Sequence, residues 1–136
     1  MYCHGVQWLV GAARILAEQC ARDGKPDDAR AYREVAYRLW LKISPIPHVM
    51  PGEIETYGGQ PNKQAADMLT AFDPGRMIWH GYTGAAGWLF RQALEGVLGA
   101  RLIDNQWIGP AEPAEVIGAL RVVGIHRNLR KHPPAK

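Results

Sequence analysis

One stretch of the chain, residues 75–88, concentrates side chains that can bind an oxyanion beside a sugar. It reads Gly75-Arg76-Met77-Ile78-Trp79-His80-Gly81-Tyr82-Thr83-Gly84-Ala85-Ala86-Gly87-Trp88. Its glycines let the backbone turn tightly and approach a ligand closely. Thr83 stands where a helix N-cap is expected, because residues 84–98 predict a helix whose first N–H groups would be unpaired. The stretch therefore predicts an anion site at the start of a helix.

The side chains of this stretch divide into anion-binding groups and flat rings. The Arg76 guanidinium is a planar fork that can bind two oxygens of a phosphate or a sugar. The Thr83 hydroxyl and the Gly84 N–H would complete the pocket. The rings that could cover the apolar face of a pyranose belong to Trp79, Tyr82 and Trp88. Packing of these aromatics into a core is the alternative, and residue types alone leave it open.

Two amphipathic helices are predicted before this stretch. The first runs from Val6 to Arg22 and ends at Gly24, which suits the left-handed position after a helix. The second runs from Asp27 to Ile43, and the short connection predicts antiparallel packing. Their apolar faces are predicted as Leu9, Ala12, Ala13, Leu16 and Cys20 on the first, and Tyr32, Val35, Ala36, Leu39, Trp40 and Ile43 on the second. We expect the aromatic residues Trp8, Tyr32 and Trp40 to lie in the core.

The segments between the helices are predicted as loops. Three prolines between Ser44 and Gly52 predict a rigid, extended loop, from which His48 either projects a ring nitrogen into a cavity or forms a local hydrogen bond. Residues 53–62, which include Gln60, predict turns and a second binding loop. A third helix is predicted from Lys63 to Phe72, with Asn62 as its N-cap.

The pattern changes after Gly99, which is expected to end the helix of residues 84–98. Two short strands, residues 101–103 and 106–108, are predicted around an Asp-Asn turn. Residues 116–125 predict a further strand, and the basic tail from His126 to Lys136 is expected to fray. The domain division is therefore a helical segment, 1–99, and a segment of short strands with a basic tail, 100–136.

Composition excludes several classes of protein. The 136 residues carry a net charge of only +3, partly from the tail, which argues against nucleic acid as a partner. No apolar run is long enough to span a membrane, and we expect a soluble, cytoplasmic chain. Cys3 and Cys20 indicate neither a disulfide framework nor a zinc site, and the five histidines are too scattered for a metal site. No hydrolase elbow, zincin, P-loop or dinucleotide motif occurs, and the carboxylates read as solvated, so no catalytic residue is assigned.

The motif Gly75-Arg76-x-x-Trp79-x-x-Tyr82-Thr83-Gly84-x-Ala86-Gly87-Trp88, followed by Leu94-Glu95-Gly96-Val97-Leu98-Gly99, resembles the C-terminal part of glycoside hydrolase family 94. Ile43-Ser44-Pro45-x-x-His48 is similar to the Asn-Pro-x-x-His loop of that family. Gln60-Pro61-x-x-x-Ala65-Ala66-Asp67 is similar to its Glu-Pro-Tyr-x-x-Ala-Ala-Asp segment. The family contains cellobiose and cellodextrin phosphorylases and the phosphorylase-like region of cyclic β-1,2-glucan synthases, which this chain resembles most.

The resemblance implies a mainly α fold, in which the helices form the closing third of an α/α barrel of six hairpins and short β-strands follow. It implies that His48, Thr83 and Gly84 contact inorganic phosphate as a co-substrate, with no other cofactor. A β-glucan or other glucose-type sugar would be the substrate, and Gln60 lies in the segment that touches sugar. A full-length relative could be anchored in the inner membrane.

The sequence also departs from the family. Ala85 replaces a serine of the phosphate loop, and Gln60 and Asn62 replace a glutamate and a tyrosine of the sugar segment. The aspartate that is the general acid of the family has no counterpart here, so we expect this chain to be inactive alone. The favoured interpretation is a C-terminal fragment that supplies the phosphate and sugar wall of an active site. The alternatives are a non-catalytic helical module that binds glucan or a partner chain, and a structural protein that self-associates through exposed helix faces.

Overall fold

The computed structural model describes residues 1–108, and in this part of the chain helices predominate. The long helices are α1 (Cys3–Arg22), α2 (Pro26–Ile43) and α5 (Thr83–Gln92), and α5 continues into a π-helical turn, Ala93–Val97. Two single helical turns, α3 (Pro45–His48) and α4 (Ile54–Tyr57), follow α2. The strands are β1 (Ala65–Met68), β2 (Met77–His80), β3 (Arg101–Ile103) and β4 (Gln106–Ile108). The prediction of a mainly α fold with short strands after Gly99 is confirmed.

Helices α1 and α2 form the predicted antiparallel hairpin. The Lys25 N–H donates to the Cys20 carbonyl at 2.8 Å, and Gly24 has a φ of +71°, which is the Schellman geometry expected of a glycine stop. Val6, near the start of α1, packs with Ile43, at the end of α2, whereas Val10 packs with Ala36 further back. This order of contacts shows that the two helices run in opposite directions.

The face of α1 that is buried differs from the predicted one. The buried residues are Cys3, Val6, Gln7, Val10, Ala13 and Ala17, whereas Leu9, Ala12 and Leu16 of the predicted stripe are exposed. Trp8 was expected in the core and is 58% exposed, and Tyr32 on α2 is also exposed. Both faces of α1 are apolar, so periodicity alone could not select the one that packs on α2. Trp40 is half-buried, and its indole N–H donates to the Leu89 carbonyl at 3.1 Å.

The proline-rich segment after α2 is not the extended loop that three prolines predict. Pro45–His48 forms one helical turn, because Pro45 occupies its first position, where a proline needs no N–H partner. The Ser44 side chain accepts a hydrogen bond from the Ile46 N–H at 3.4 Å and caps this turn. A second turn, Ile54–Tyr57, places Tyr57 in the core among Cys3, Ile43 and Met68.

The predicted third helix, Lys63 to Phe72, is wrong, and Asn62 caps no helix. Residues 65–68 form β1, which pairs antiparallel with β2 in the register Ala65 with His80 and Met68 with Met77. The first residues of the chain extend this sheet, since the Met68 N–H donates to the Met1 carbonyl at 2.9 Å. Helix propensity in this segment is outweighed by pairing with two other segments and by the burial of its small side chains.

Residues beyond the π-helical turn follow the prediction closely. Gly99, at a φ of +67°, ends the helical segment. Strands β3 and β4 pair antiparallel around Asp104 and Asn105, whose positive φ values suit a tight two-residue hairpin turn. The Arg101 guanidinium of β3 forms an ion pair with Glu18 of α1, which attaches the hairpin to the helices. The strand predicted at 116–125 and the tail from 126 lie outside the described residues.

Within residues 1–108, none of the helices combines the length and the apolar character that crossing a bilayer requires. The same residues contain no group of three or more histidine, cysteine and acidic side chains that could hold a metal ion.

Candidate functional site

The loop before α5 is held in place by Gln64, a residue that the sequence analysis did not select. The Gln64 carbonyl accepts hydrogen bonds from the N–H groups of Gly81 and Tyr82, at 3.0 and 3.1 Å. Its buried side chain donates to the Ile43 carbonyl at 2.9 Å. One residue therefore ties the end of α2 and the start of β1 to the start of α5. Gln64 occupies an unspecified position of the segment from Gln60 to Asp67, so the sequence gave no signal for it.

Helix α5 begins one residue earlier than predicted. Tyr82 is its N-cap and Thr83 is its first helical residue, so the expectation that Thr83 is the N-cap is wrong. No side chain caps the helix, and the first hydrogen bond of the helical kind links the Ala86 N–H to the Tyr82 carbonyl at 3.0 Å. Thr83 and Gly84 are exposed. Their N–H groups stand at the positive end of a ten-residue helix, where an anion is stabilised.

Aromatic rings from α1 and α5 surround this helix start. The Tyr82 ring lies 6.4 Å from that of Tyr2 and 6.3 Å from that of His4, measured between centroids. The Trp88 ring lies 6.3 Å from that of His4. Trp8 completes the group, with its ring 5.5 Å from that of His4. We name Tyr2, His4, Trp8, Tyr82 and Trp88 the aromatic cluster. Tyr2, His4 and Trp8 precede the motif at residues 75–88 by about half of the chain and were not predicted as site residues.

Two polar interactions involve side chains of the cluster. The Tyr2 and Tyr82 hydroxyls are 3.4 Å apart, and this hydrogen bond, with a smaller contribution from the Asp67 charge, raises the pKa of Tyr2 above its ordinary value. The Arg91 guanidinium lies 5.1 Å from the centre of the Trp88 ring, where a cation is attracted to the ring face, and its Nε donates to Glu95 at 2.9 Å. The cluster thus contains two hydroxyls, of Tyr2 and Tyr82, and has a cation next to Trp88.

Trp79 lies in β2, next to the cluster in sequence, in an unusual backbone conformation. Its φ is +50°, which is unfavourable for a bulky side chain, and the side chain is 74% exposed. Such outliers cost of order 1–3 kcal/mol and concentrate at functional sites. The conformation of Trp79 is therefore consistent with its prediction as a sugar-stacking residue.

His48 forms local contacts next to α4. Its Nε2 is 2.9 Å from the Lys42 carbonyl, and its ring stacks on Tyr57 with centroids 5.4 Å apart. The stacked arrangement fixes the ring against the core beside α4. Of the two interpretations that the sequence left open, the structure supports the locally hydrogen-bonded histidine. Within residues 1–108, no hydrogen bond or ring contact connects His48 with the start of α5.

Arg76 and Gln60 also lie away from the start of α5. Arg76 directly precedes β2 whereas Gly81 directly follows it, and the four strand residues between them separate their Cα atoms by roughly 15 Å. Arg76 lines an open cleft of about 390 Å³ with Glu55, Thr56, Asp73 and Pro74. Gln60 is exposed in the turn before β1, where its carbonyl accepts from the Lys63 N–H at 3.2 Å. The structure thus brings Tyr82, Thr83, Gly84 and Trp88 together, without Arg76, Gln60 or His48.

Comparison with known proteins gives one similarity. No family model and no solved structure matches the sequence. The chain is 28% identical over 145 residues to the protein named cyclic beta-(1,2)-glucan synthase NdvB of Rhizobium meliloti (strain 1021). The alignment covers 98% of this chain and 5% of that relative. The chain therefore spans about a twentieth of the length of the protein that it matches.

Proposed function

We propose that the start of α5 and the aromatic cluster bind a glucose unit of a β-glucan beside inorganic phosphate. The observation that carries the proposal is the grouping of exposed aromatic rings around an uncapped helix start, in a chain similar over 98% of its length to a cyclic β-(1,2)-glucan synthase. Pyranose rings have apolar faces that pack on aromatic side chains and hydroxyls that need hydrogen-bond partners, and this surface offers both.

The proposal gives each group one role. Tyr82 and Trp88 pack against the sugar ring, and Trp79 extends this surface along β2. The N–H groups of Thr83 and Gly84, with the Thr83 hydroxyl, bind the phosphate oxygens. Roles for His48, Arg76 and Gln60 in the same site stay predictions of the family resemblance, because the contacts described above separate them from the cluster.

We further propose that residues 1–99 belong to a larger helical layer, an α/α barrel of which this chain supplies the closing part. The exposed apolar face of α1, which includes Leu9, Ile15 and Leu16, supports this view. Such a face is stabilised when a further helix covers it. Glycosyl transfer or phosphorolysis also needs a proton donor, which in this proposal comes from residues outside the chain.

Calorimetry on the 136-residue chain tests the sugar part of the proposal. A β-1,2-linked glucose disaccharide should bind, and Trp88→Ala or Tyr82→Ala should weaken binding at least tenfold, about 1.4 kcal/mol. Phe72→Ala is the matched control, because Phe72 is an aromatic residue that is 84% exposed in the turn between β1 and β2. Absence of sugar binding by the wild type, or equal losses in Phe72→Ala, would refute the proposal.

A substitution at the first residue of α5 can test the phosphate part of the proposal. Thr83 is the first residue of α5, and Tyr82 before it is extended with a ψ of 96°, so proline fits at position 83 without breaking the helix. Thr83→Pro removes one N–H and the hydroxyl, and phosphate affinity should fall about tenfold. Thr83→Ser retains both groups and should bind phosphate like the wild type. Unchanged affinity in Thr83→Pro would show that phosphate does not bind at this helix start.

The second candidate is a non-catalytic module that binds a partner chain or a second copy through the outer face of α1. The apolar side chains on that face favour it. If this face is an interface, the wild-type chain should self-associate in light scattering, and Ile15→Glu should yield monomers with unchanged sugar binding. A monomeric wild type at all accessible concentrations would exclude self-association.

A further inference from the structure

We infer that His4, a residue that the sequence analysis did not select, is the histidine of the sugar site, where its ring forms a hydrogen bond with a hydroxyl of the bound glucose unit. The inference rests on the proposed function and adds residues from the first turns of α1 to the site. It depends on the position of the His4 ring, on its hydrogen-bonding state and on the shape of the surface around it.

His4 occupies the centre of the aromatic cluster. Its ring centroid lies between 5.5 and 6.3 Å from those of Tyr2, Trp8, Tyr82 and Trp88. The backbone of α5 is equally close, since a Cβ added at Gly84 would lie 3.4 Å from the His4 Cε1. A glycine at position 84 therefore lets the first turn of α5 approach the imidazole. No other described histidine has ring contacts with both α1 and α5.

The His4 ring has hydrogen-bonding capacity that the protein does not use. Its Nε2 is buried and has no hydrogen-bond partner among the described residues. One turn further along α1, both amide atoms of the fully buried Gln7 also lack partners. A buried polar group without a partner costs about 1–3 kcal/mol, and such groups in folded proteins call for an explanation. The unpaired His4 Nε2, at the centre of an exposed aromatic surface, indicates a place where a polar ligand completes the hydrogen bonding once the rings that cover this nitrogen move aside.

The neighbouring groups favour a sugar hydroxyl as that partner. The Tyr2 and Tyr82 rings both lie close to that of His4, and each hydroxyl can still donate or accept one more hydrogen bond. Trp8 exposes more than half of its surface although it packs edge-on against His4. A glucose unit has ring C–H groups for the tryptophan faces and hydroxyls that both donate and accept. A purely apolar ligand would leave Nε2 unpaired.

His48 provides the internal comparison, because its ring already has a hydrogen bond and a stacking partner in the protein. Its Nε2 is already 2.9 Å from the Lys42 carbonyl and its ring is stacked on Tyr57. A ligand would have to displace that backbone hydrogen bond to reach the His48 Nε2. At His4, a ligand that reaches Nε2 displaces no protein hydrogen bond.

The test replaces each histidine by phenylalanine, which retains a ring for aromatic packing and removes the ring nitrogens. His4→Phe should weaken binding of the β-1,2-linked glucose disaccharide about tenfold, and His48→Phe should change it less than twofold. In nuclear magnetic resonance spectra of the wild type, the His4 ring signals should shift on addition of the disaccharide and the His48 signals should not. Circular dichroism shows whether each variant is folded. If His4→Phe is unfolded, disaccharide binding by His4→Gln and the ring shifts of the wild type test the role of His4 instead.

The outcomes separate this inference from the proposed function. If Trp88→Ala abolishes binding whereas His4→Phe binds like the wild type and the His4 signals do not move, the sugar site stands and the role of His4 is overturned. If the wild type binds no disaccharide, both the proposed sugar site and the role of His4 are refuted. A larger loss in His48→Phe than in His4→Phe, with shifts of the His48 signals, would overturn the inference and assign the sugar contact to His48.

Discussion

Removal of one buried hydroxyl should stabilise this protein. Tyr57 is 1% exposed, and its hydroxyl is buried without a hydrogen-bond partner among residues 1–108. Tyr57→Phe retains the ring that packs with Cys3, Ile43 and Met68 and removes only the unpaired oxygen. An unsatisfied buried polar group costs about 1–3 kcal/mol, and we expect Tyr57→Phe to raise the free energy of unfolding at pH 7 by about 1 kcal/mol.

The same substitution should change the pH dependence of stability. Burial, with a smaller effect of Cys3, raises the pKa of Tyr57 from 10.0 to about 12. The unfolded chain therefore loses this proton at a lower pH than the folded chain does. The stabilising contribution is complete below pH 10 and is lost as the pH rises towards 12. At pH 11 the wild type should have lost about 1 kcal/mol through Tyr57 alone, whereas Tyr57→Phe loses nothing there.

Urea unfolding followed by circular dichroism, at pH 7 and at several values up to pH 11, measures both effects. The difference between Tyr57→Phe and the wild type should grow from about 1 to about 2 kcal/mol over this range. Tyr32→Phe, on an exposed part of α2, should match the wild type at every pH. The reasoning is refuted if Tyr57→Phe is less stable than the wild type at pH 7, or if the difference does not widen with pH.

Three further predictions concern the core and its attachments. A Cβ at Gly59 would lie 2.5 Å from a ring carbon of Tyr57, so Gly59→Ala should lower the free energy of unfolding by about 1–3 kcal/mol. The control is Gly87→Ala, whose Cβ would meet no atom within 4 Å and which should be neutral or slightly stabilising. Equal effects of the two substitutions would contradict the close packing of Gly59 on Tyr57. Burial and the nearby Asp67 raise the pKa of Cys3 from 9.0 to about 11, which leaves roughly 100-fold less thiolate at neutral pH. Cys20 should therefore be alkylated first and Cys3 only on unfolding. Mass spectrometry of partially labelled protein shows which cysteine carries the label. Gln64→Leu removes the side-chain hydrogen bond to the Ile43 carbonyl at the end of α2 and should lower the free energy of unfolding by about 1–3 kcal/mol in thermal or urea unfolding; a smaller loss would mean that this bond contributes little to the attachment of β1 to α2.

The sequence by itself determined the features that depend on local chemistry. Gly24 and Gly99 end helices because each lies in the left-handed region that glycine adopts without strain. Asp104 and Asn105 specify the β3–β4 hairpin, because aspartate and asparagine tolerate the positive φ values of a two-residue turn. The motif at residues 75–88 located the start of α5 to within one residue. In each case, the deciding interactions lie within a few residues of one another.

The tertiary structure decided what depends on distant segments. Residues 65–68 form a strand because β2 and the first residues of the chain pair with them, although their composition favours a helix. Both faces of α1 are apolar, and only the position of α2 selects the buried one. Only the packing of α1 on α5 brings His4 to Tyr82 and Trp88, about 80 residues away in sequence. The sequence motif thus defined half of the candidate site, and the contact between two helices supplied the other half.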